Sequence, residues 1–264
     1  MRIGFIGAGR MGTPMVSRLL AAGHNVRVLG RSDEKRQAAA ALGAVPAATA
    51  AETVHDAEAV VVCVFTDEQV RGLCDDEFIE AIPTGAVLVL HTTGSPSTAQ
   101  NLEARTRRRD IAVIDAPVSG GPHDIAAGSV TVFAGGSDDA MARALPALTA
   151  YADPVLHVGA VGAGQHVKLI NNALFAAQIG LVADGVRLGA QFGVAESALL
   201  NALTHGSSSS RALTGIAATG SAAAFIDRVG EFIGKDVAVV RKTAAELGTD
   251  LSRFDALLEL ATGN

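Results

Sequence analysis

The short apolar run Arg2–Ile6 leads straight into Gly7-Ala8-Gly9-Arg10-Met11-Gly12, and helical periodicity then runs from Met11 to a stop at Gly23. Strand, glycine loop and helix in this order match the opening of a dinucleotide-binding βαβ unit. Gly7 permits the tight turn, Gly9 lets backbone approach a pyrophosphate, and Gly12 lets helix and strand pack closely. The helix N-terminus adds unpaired N–H groups and positive partial charge. Ala8, Arg10 and Met11 share the loop, so all six residues are candidate cofactor contacts. The competing reading is a sharp βα turn that holds no ligand.

The rest of the chain agrees with that opening. Strand character recurs at Asn25–Leu29, Ala57–Val64, Ala86–Leu90, Ile111–Asp115, Val130–Ala134 and Pro154–Val158, separated by helical stretches at Asp33–Leu42, Asp67–Ala81 and Ser97–Arg109. Alternation of this kind predicts a mostly parallel, doubly wound sheet. From Gly164 onward the pattern is helical only, over Val167–Phe192, Glu196–Leu203, Ala212–Ile216 and Lys235–Leu247. The expected fold is therefore α/β: a Rossmann-type doubly wound parallel sheet over residues 1–160, then an all-α domain over residues 161–264 for substrate binding and dimerisation. A helix of about 26 residues would be about 39 Å long. That is longer than a small domain needs, and points to a homodimer or homotetramer.

Composition narrows the function. Of 264 residues, 49% are hydrophobic and 18% charged, which excludes a disordered chain. A net charge of −6, no Trp and one Tyr offer neither a basic surface nor a stacking platform, so no nucleic acid is expected as partner. Two cysteines, Cys63 and Cys74, suit a reducing compartment. The start lacks the pattern of a signal peptide, and no apolar run approaches the ~20 residues of a membrane span, so a cytoplasmic protein without membrane contact is expected. His91, His123, His166 and His205 show no metal-ligand spacing, and no metal is expected. Arg105 and Arg107–Arg109 read as a solvated face; Ser207–Ser210 reads either as a polar loop between helices or as a helix start whose N–H groups face the cleft, with Arg211 meeting an anionic substrate.

The end of the second strand bears on the choice of dinucleotide. NAD-binding chains place a carboxylate there for the ribose 2′-hydroxyl. This chain has Leu29-Gly30-Arg31-Ser32, with Asp33 already in the next helix. Arg31 and Ser32 suit a 2′-phosphate, so NADP is preferred over NAD.

Four more segments join the loop: Thr92-Thr93-Gly94-Ser95-Pro96, Asp115-Ala116-Pro117-Val118-Ser119-Gly120-Gly121, the run from Gly162-Ala163-Gly164 through Lys168-Leu169 to Asn171-Asn172, and Lys235-Asp236. In order and spacing the chain resembles the β-hydroxyacid dehydrogenase family, which includes 3-hydroxyisobutyrate dehydrogenase, tartronate semialdehyde reductase and glyoxylate/succinic semialdehyde reductases. It is also similar to 6-phosphogluconate dehydrogenase, whose helical domain is much larger. The resemblance implies that Lys168 is the catalytic lysine and Asn172 its companion one helical turn on. It implies that Ser119, Gly120 and Gly121 hold a substrate carboxylate, and that Phe65, Thr66, Thr93 and Lys235 contact the cofactor, Thr93 beside the nicotinamide. Three departures stand out. Leu90 replaces the family Asp before the nicotinamide loop, so support for that loop is expected to differ. Phe65-Thr66 replaces a Leu-Pro pair. The usual glycine-rich closing tail is not evident before Asn264.

The chemistry implied is an NADP-dependent oxidoreductase that transfers a hydride between the nicotinamide and a small carboxylate-bearing substrate, a β-hydroxyacid or its semialdehyde. Lys168 would serve as general acid or base. Burial among Val167, Leu169 and Ile170 would lower its pKa toward neutrality. Lys168 and Asn172, at i and i+4, share one helix face. The alternatives are an imine reductase-like NADPH enzyme, disfavoured by Lys168, and a non-catalytic NADP-binding sensor or scaffold.

Overall fold

The computed structural model describes residues 1–262; Gly263 and Asn264, the end of the expected helical domain, lie outside the described residues. The chain forms two compact units, Met1–Lys168 and Leu169 onward.

In chain order the first unit comprises β1 (Arg2–Ile6), α1 (Gly12–Ala21), β2 (Asn25–Leu29), α2 (Asp33–Ala41), β3 (Val45–Ala47), α3 (Ala50–Val54), β4 (Ala59–Val62), α4 (Asp67–Leu73), α5 (Asp76–Ala81), β5 (Val87–Leu90), α6 (Pro96–Thr106), β6 (Ala112–Asp115), β7 (Val118–Ser119), α7 (Pro122–Ala127), β8 (Val130–Gly135), α8 (Asp138–Leu148), β9 (Ala152–Gly159) and the start of α9 (Ala163–Gln191). Strands run in the order β3-β2-β1-β4-β5-β6, all parallel. Connections reverse direction across the sheet between β1 and β4, the switch point where such folds bind ligands.

The central strands read as continuous apolar runs because both faces are covered. Phe5, Val61 and Val89 pack into the core on one face, while Ile6, Val60, Val62, Leu88 and Leu90 pack on the other. Leu90 is only 3% exposed, so the position that departs from the family pattern is a core residue.

The expectation of a parallel sheet holds through β6 and changes at β8. There the chain pairs antiparallel with β6 and β7, and β9 pairs parallel with β8. The connection after β6 is occupied by β7 and the short α7, so the chain turns back rather than crossing the sheet. Gly135 of β8 is the register partner both of Asp115, which ends β6, and of Gly159, which ends β9. The reversed pair thus returns the chain to the C-terminal edge of the parallel strands, where α9 begins.

The second unit holds most of α9, then α10 (Glu196–Leu203), α11 (Arg211–Thr219), α12 (Ala222–Glu246) and α13 (Arg253–Thr262). Its core joins Leu169, Ala173, Ala176 and Ile179 to Leu213, Ile216, Phe225, Ile233, Val237 and Val240. Helix α12 begins well before the expected Lys235. Burial of Phe225, Ile233 and Val237 outweighs the helix cost of Gly230 and Gly234, about 1 kcal/mol each. Ser210 is the N-cap of α11, accepting from the Leu213 N–H at 3.1 Å.

Helix α9 also corrects the expectation that no segment approaches a membrane span. By length and composition it could cross a bilayer, with a mean hydropathy of 1.3 over its most apolar window. One side of α9 carries the exposed apolar row Ile170, Leu174, Leu181 and Leu188.

Candidate active site

The loops that follow β1, β2, β4, β5 and β6 all leave the C-terminal edge of the parallel strands. The first four carry Gly7–Gly12, Arg31-Ser32, Phe65-Thr66 and Thr93; after β6 the chain passes into β7, which Ser119 ends and Gly120-Gly121 follow.

In the first loop, Gly7 has φ 99°. A Cβ there would collide with the Cys63 carbonyl, and one at Gly12 would collide with the Gly7 carbonyl. Gly9 differs: a Cβ built there meets no protein atom within 4 Å. Two of the glycines are therefore required by the fold, whereas the third leaves its backbone open on the side where a side chain would stand. Arg10 is exposed on the rim, and Met11 occupies the N-cap position of α1.

After β2, Arg31 is exposed and Ser32 caps α2, its hydroxyl accepting from the Lys35 N–H at 3.3 Å. Arg36 donates to the Gly30 carbonyl at 2.8 Å and pairs with Asp33. The carboxylate nearest this strand end is thus held in an ion pair. After β4, Thr66 caps α4, and the Gln69 side chain accepts from the Phe65 N–H at 2.8 Å. Phe65 is 42% exposed.

The loop after β5 is fixed from three directions. The Thr92 hydroxyl donates to the Val64 carbonyl at 2.9 Å. The Gln165 side chain donates to the Thr92 carbonyl at 2.8 Å and accepts from the Gly94 N–H at 3.0 Å. Below the loop, His91 Nδ1 lies 2.6 Å from the Ala116 carbonyl, and Nε2 lies 2.7 Å from the Tyr151 hydroxyl. A carbonyl can only accept, so Nδ1 carries the proton and Nε2 accepts from Tyr151. Burial drives the His91 pKa down to about 4, so the ring is neutral at physiological pH. It also pushes the Tyr151 hydroxyl upward.

Asp115 ends β6 and caps α9. Its carboxylate accepts from the Gly162 N–H at 2.6 Å and the Gln165 N–H at 2.7 Å. Burial raises its pKa to about 6, against the opposing pull of those N–H groups. This cap explains why α9 starts at Ala163, ahead of the expected Val167.

Gly120 has φ 138°, and the Gly121 N–H donates to Asp124 at 2.6 Å. The expected run of free N–H groups for a carboxylate is thus shortened, because the capping box of α7 engages the Gly121 amide. Lys168 is half-buried one turn into α9. Of the residues expected to bury it, Ile170 does not. Successive helix residues point about 100° apart, and Ile170 is 61% exposed on another side.

Asn172 follows on the same helix, within the second unit. It is buried, donating to Asp236 and accepting from Asn171 at 3.0 Å. Lys235 Nζ lies 3.2 Å from Asp236. The structural roles of Gln165, His91, Tyr151 and Asp124 went unread in the sequence. A buried polar residue looks like any other until its partner is known.

Comparison with known proteins identifies the family. The family model for the NAD-binding domain of 6-phosphogluconate dehydrogenase matches residues 2–159. The model for the NAD-binding domain of NADP-dependent 3-hydroxyisobutyrate dehydrogenase matches residues 162–261. The chain is 34% identical over 214 residues to the NAD-dependent L-serine dehydrogenase of Pseudomonas aeruginosa, covering 80% of this chain and 72% of that one. It is 33% identical over 202 residues to a probable 3-hydroxyisobutyrate dehydrogenase of Mycobacterium tuberculosis, covering 76% and 68%. The solved structure of the Mycobacterium tuberculosis 3-hydroxyisobutyrate dehydrogenase with L-serine superposes with a TM-score of 0.89 at 26% identity, over 99% of this chain and 92% of that one. A nicotinamide-dinucleotide fold, a glycine turn open to a pyrophosphate and matches along nearly the whole chain lead to one conclusion: this protein belongs to the β-hydroxyacid dehydrogenase family, the NAD(P)-dependent dehydrogenases of CH–OH donors.

Proposed function

We propose that the chain interconverts a small β-hydroxyacid and its semialdehyde with NADP as the preferred cofactor. The observation that carries this reading is the half-buried Lys168, one turn into a helix whose N-terminus is capped at the same sheet edge that carries the glycine turn. The open backbone at Gly9 suits the pyrophosphate, and Arg31 with the Ser32 hydroxyl suits the 2′-phosphate. Bound NADPH would supply the hydride. The Ser119 hydroxyl and the Gly120 N–H orient the substrate carboxylate. Lys168 as ammonium donates a proton to the carbonyl oxygen on reduction, and as free amine takes it from the hydroxyl on oxidation. Asp236, bonded to Asn172, fixes the side chain of that residue.

The test is NADPH consumption across glyoxylate and small semialdehydes, with oxidation of 3-hydroxyisobutyrate, L-serine and L-threonate in reverse. Lys168→Ala is expected to lower turnover by at least about 100-fold with cofactor affinity nearly unchanged; full activity in that variant would refute the lysine's role. Tight NADPH binding without turnover on any substrate would instead favour a sensor. Arg31→Asp is expected to weaken NADPH binding about 10- to 100-fold and to spare NADH. Equal loss for both cofactors would remove the 2′-phosphate assignment. The name of the Pseudomonas aeruginosa relative makes that comparison pointed.

The homodimer or homotetramer expected from the long helix is assigned here to the row Ile170, Leu174, Leu181 and Leu188, which a second copy would cover. Sedimentation should give a mass at least twice the chain's 26.8 kDa; a single-chain mass at micromolar concentration would end this assignment.

A further inference from the structure

We propose that Gln165 is a positioning residue that sets Thr93, and through it the nicotinamide ring, against Lys168. The proposal rests on the reading above for what Thr93 and Lys168 do. Gln165 is 3% exposed, and its side chain uses both its functions on the two neighbours of Thr93: Nε2 donates to the Thr92 carbonyl and Oε1 accepts from the Gly94 N–H. Its own N–H is held by Asp115 at 2.7 Å. Gln165 and Lys168, three positions apart, lie on one face of α9. The helix face that grips the loop is therefore the face that carries the lysine.

The grip is snug on its far side as well. A Cβ at Gly94 would strike the carboxylate of Asp67, which Thr98 and Arg71 hold in place. Thr93 thus sits in a loop backed by Asp67 on one side and held by Gln165 on the other, so that loss of the carboxamide leaves it free to shift only toward the side Gln165 vacates. Only a neutral carboxamide, or a protonated carboxyl, offers one donor and one acceptor at this reach.

That chemistry supplies the test. In Gln165→Glu the protonated carboxyl reproduces both bonds, whereas the carboxylate turns an acceptor toward the Thr92 carbonyl. The charged or titratable groups around position 165 are Asp115 from β6, Asp67 with Arg71 from α4 beyond Gly94, neutral His91 beneath Thr92, and His166 and Lys168 on α9. Asp115 and burial both favour the protonated form.

Wild type, Gln165→Ala, Gln165→Glu and Lys168→Ala are compared over a pH series. The readouts are kcat, KM for NADPH, and the fluorescence of the bound reduced nicotinamide. Gln165→Ala is expected to lose about 100-fold in kcat, the effect of an ångström-scale misplacement, with KM for NADPH changed less than about threefold. Gln165→Glu is expected to match wild type at the acid end and to fall at least about 10-fold below it as the carboxyl ionises, the nicotinamide emission following the same curve. A constant ratio of Gln165→Glu to wild type across pH, in both readouts, overturns the proposal. So does an unaltered kcat in Gln165→Ala. A fully active Lys168→Ala beside a pH-dependent Gln165→Glu would instead leave Gln165 in place and remove the lysine.

Discussion

Two loops at the same sheet edge are built in opposite ways. The turn Gly7–Gly12 is largely local: its shape follows from the glycines, and its collision partners are its own Gly7 carbonyl, the Phe5 side chain of the strand before it and the backbone at Cys63, just past the neighbouring strand. The loop Thr92–Gly94 has no such local prescription. It is held by Val64, by Gln165 and, from beneath, by its neighbour His91, which is itself fixed by Tyr151 and Ala116; Val64, Gln165, Tyr151 and Ala116 all come from distant parts of the chain. The first loop can be specified by a short motif. The second exists only once the unit has folded.

Substitutions can separate the two designs. The largest effect is expected at Gly7. Gly7→Ala combines a positive φ with a backbone collision, and is expected to cost more than about 4 kcal/mol, read as failure to fold or a large drop in Tm. Gly9→Ala should fold with an unchanged Tm, because no protein atom is near, yet bind NADPH at least about 10-fold more weakly. A fall in Tm for both would show that the turn is less local than described.

A smaller effect is expected at His91. His91→Leu leaves the Tyr151 hydroxyl and the Ala116 carbonyl buried without their partner, at about 1–3 kcal/mol each. The pH dependence identifies the cause. The folded-state pKa of His91 is lowered from 6.5 to about 4, so its contribution is fully present above pH 6.5 and is lost as pH falls toward 4. Asp115, raised from 3.8 to about 6, acts in the opposite sense: its contribution is present below pH 3.8 and is lost as pH rises through 6. The two offset each other in the wild type. Denaturant titrations of His91→Leu should show a stability deficit that is greatest above pH 6.5 and shrinks toward pH 4. A deficit constant with pH would mean that His91 is not held neutral in the fold.

The same contrast explains what could be read in advance. The parallel strands were legible because Val60–Val62 and Val87–Leu90 are apolar on both faces, and the glycine turn because its spacing is local. The reversal at β8 was not legible, since a run such as Val130–Ala134 says nothing about direction. The long α12 was missed because Gly230 and Gly234 weaken the local signal, and only burial of Phe225 and Ile233 restores it. In the candidate site, Lys168 and Asn172 were named from their motif. Gln165 lies inside that motif and passed unnoticed, because its partners, Thr92 and Gly94, are more than 70 residues away.

The change from one compact unit to the next falls between Lys168 and Leu169, inside α9. Domains usually join through exposed irregular linkers, where proteases cut and insertions are tolerated. Here the join is a hydrogen-bonded helix, and a protease could take hold of it only after local unwinding. Exchange of one half for that of a relative would have to be spliced within a turn of the proposed catalytic lysine.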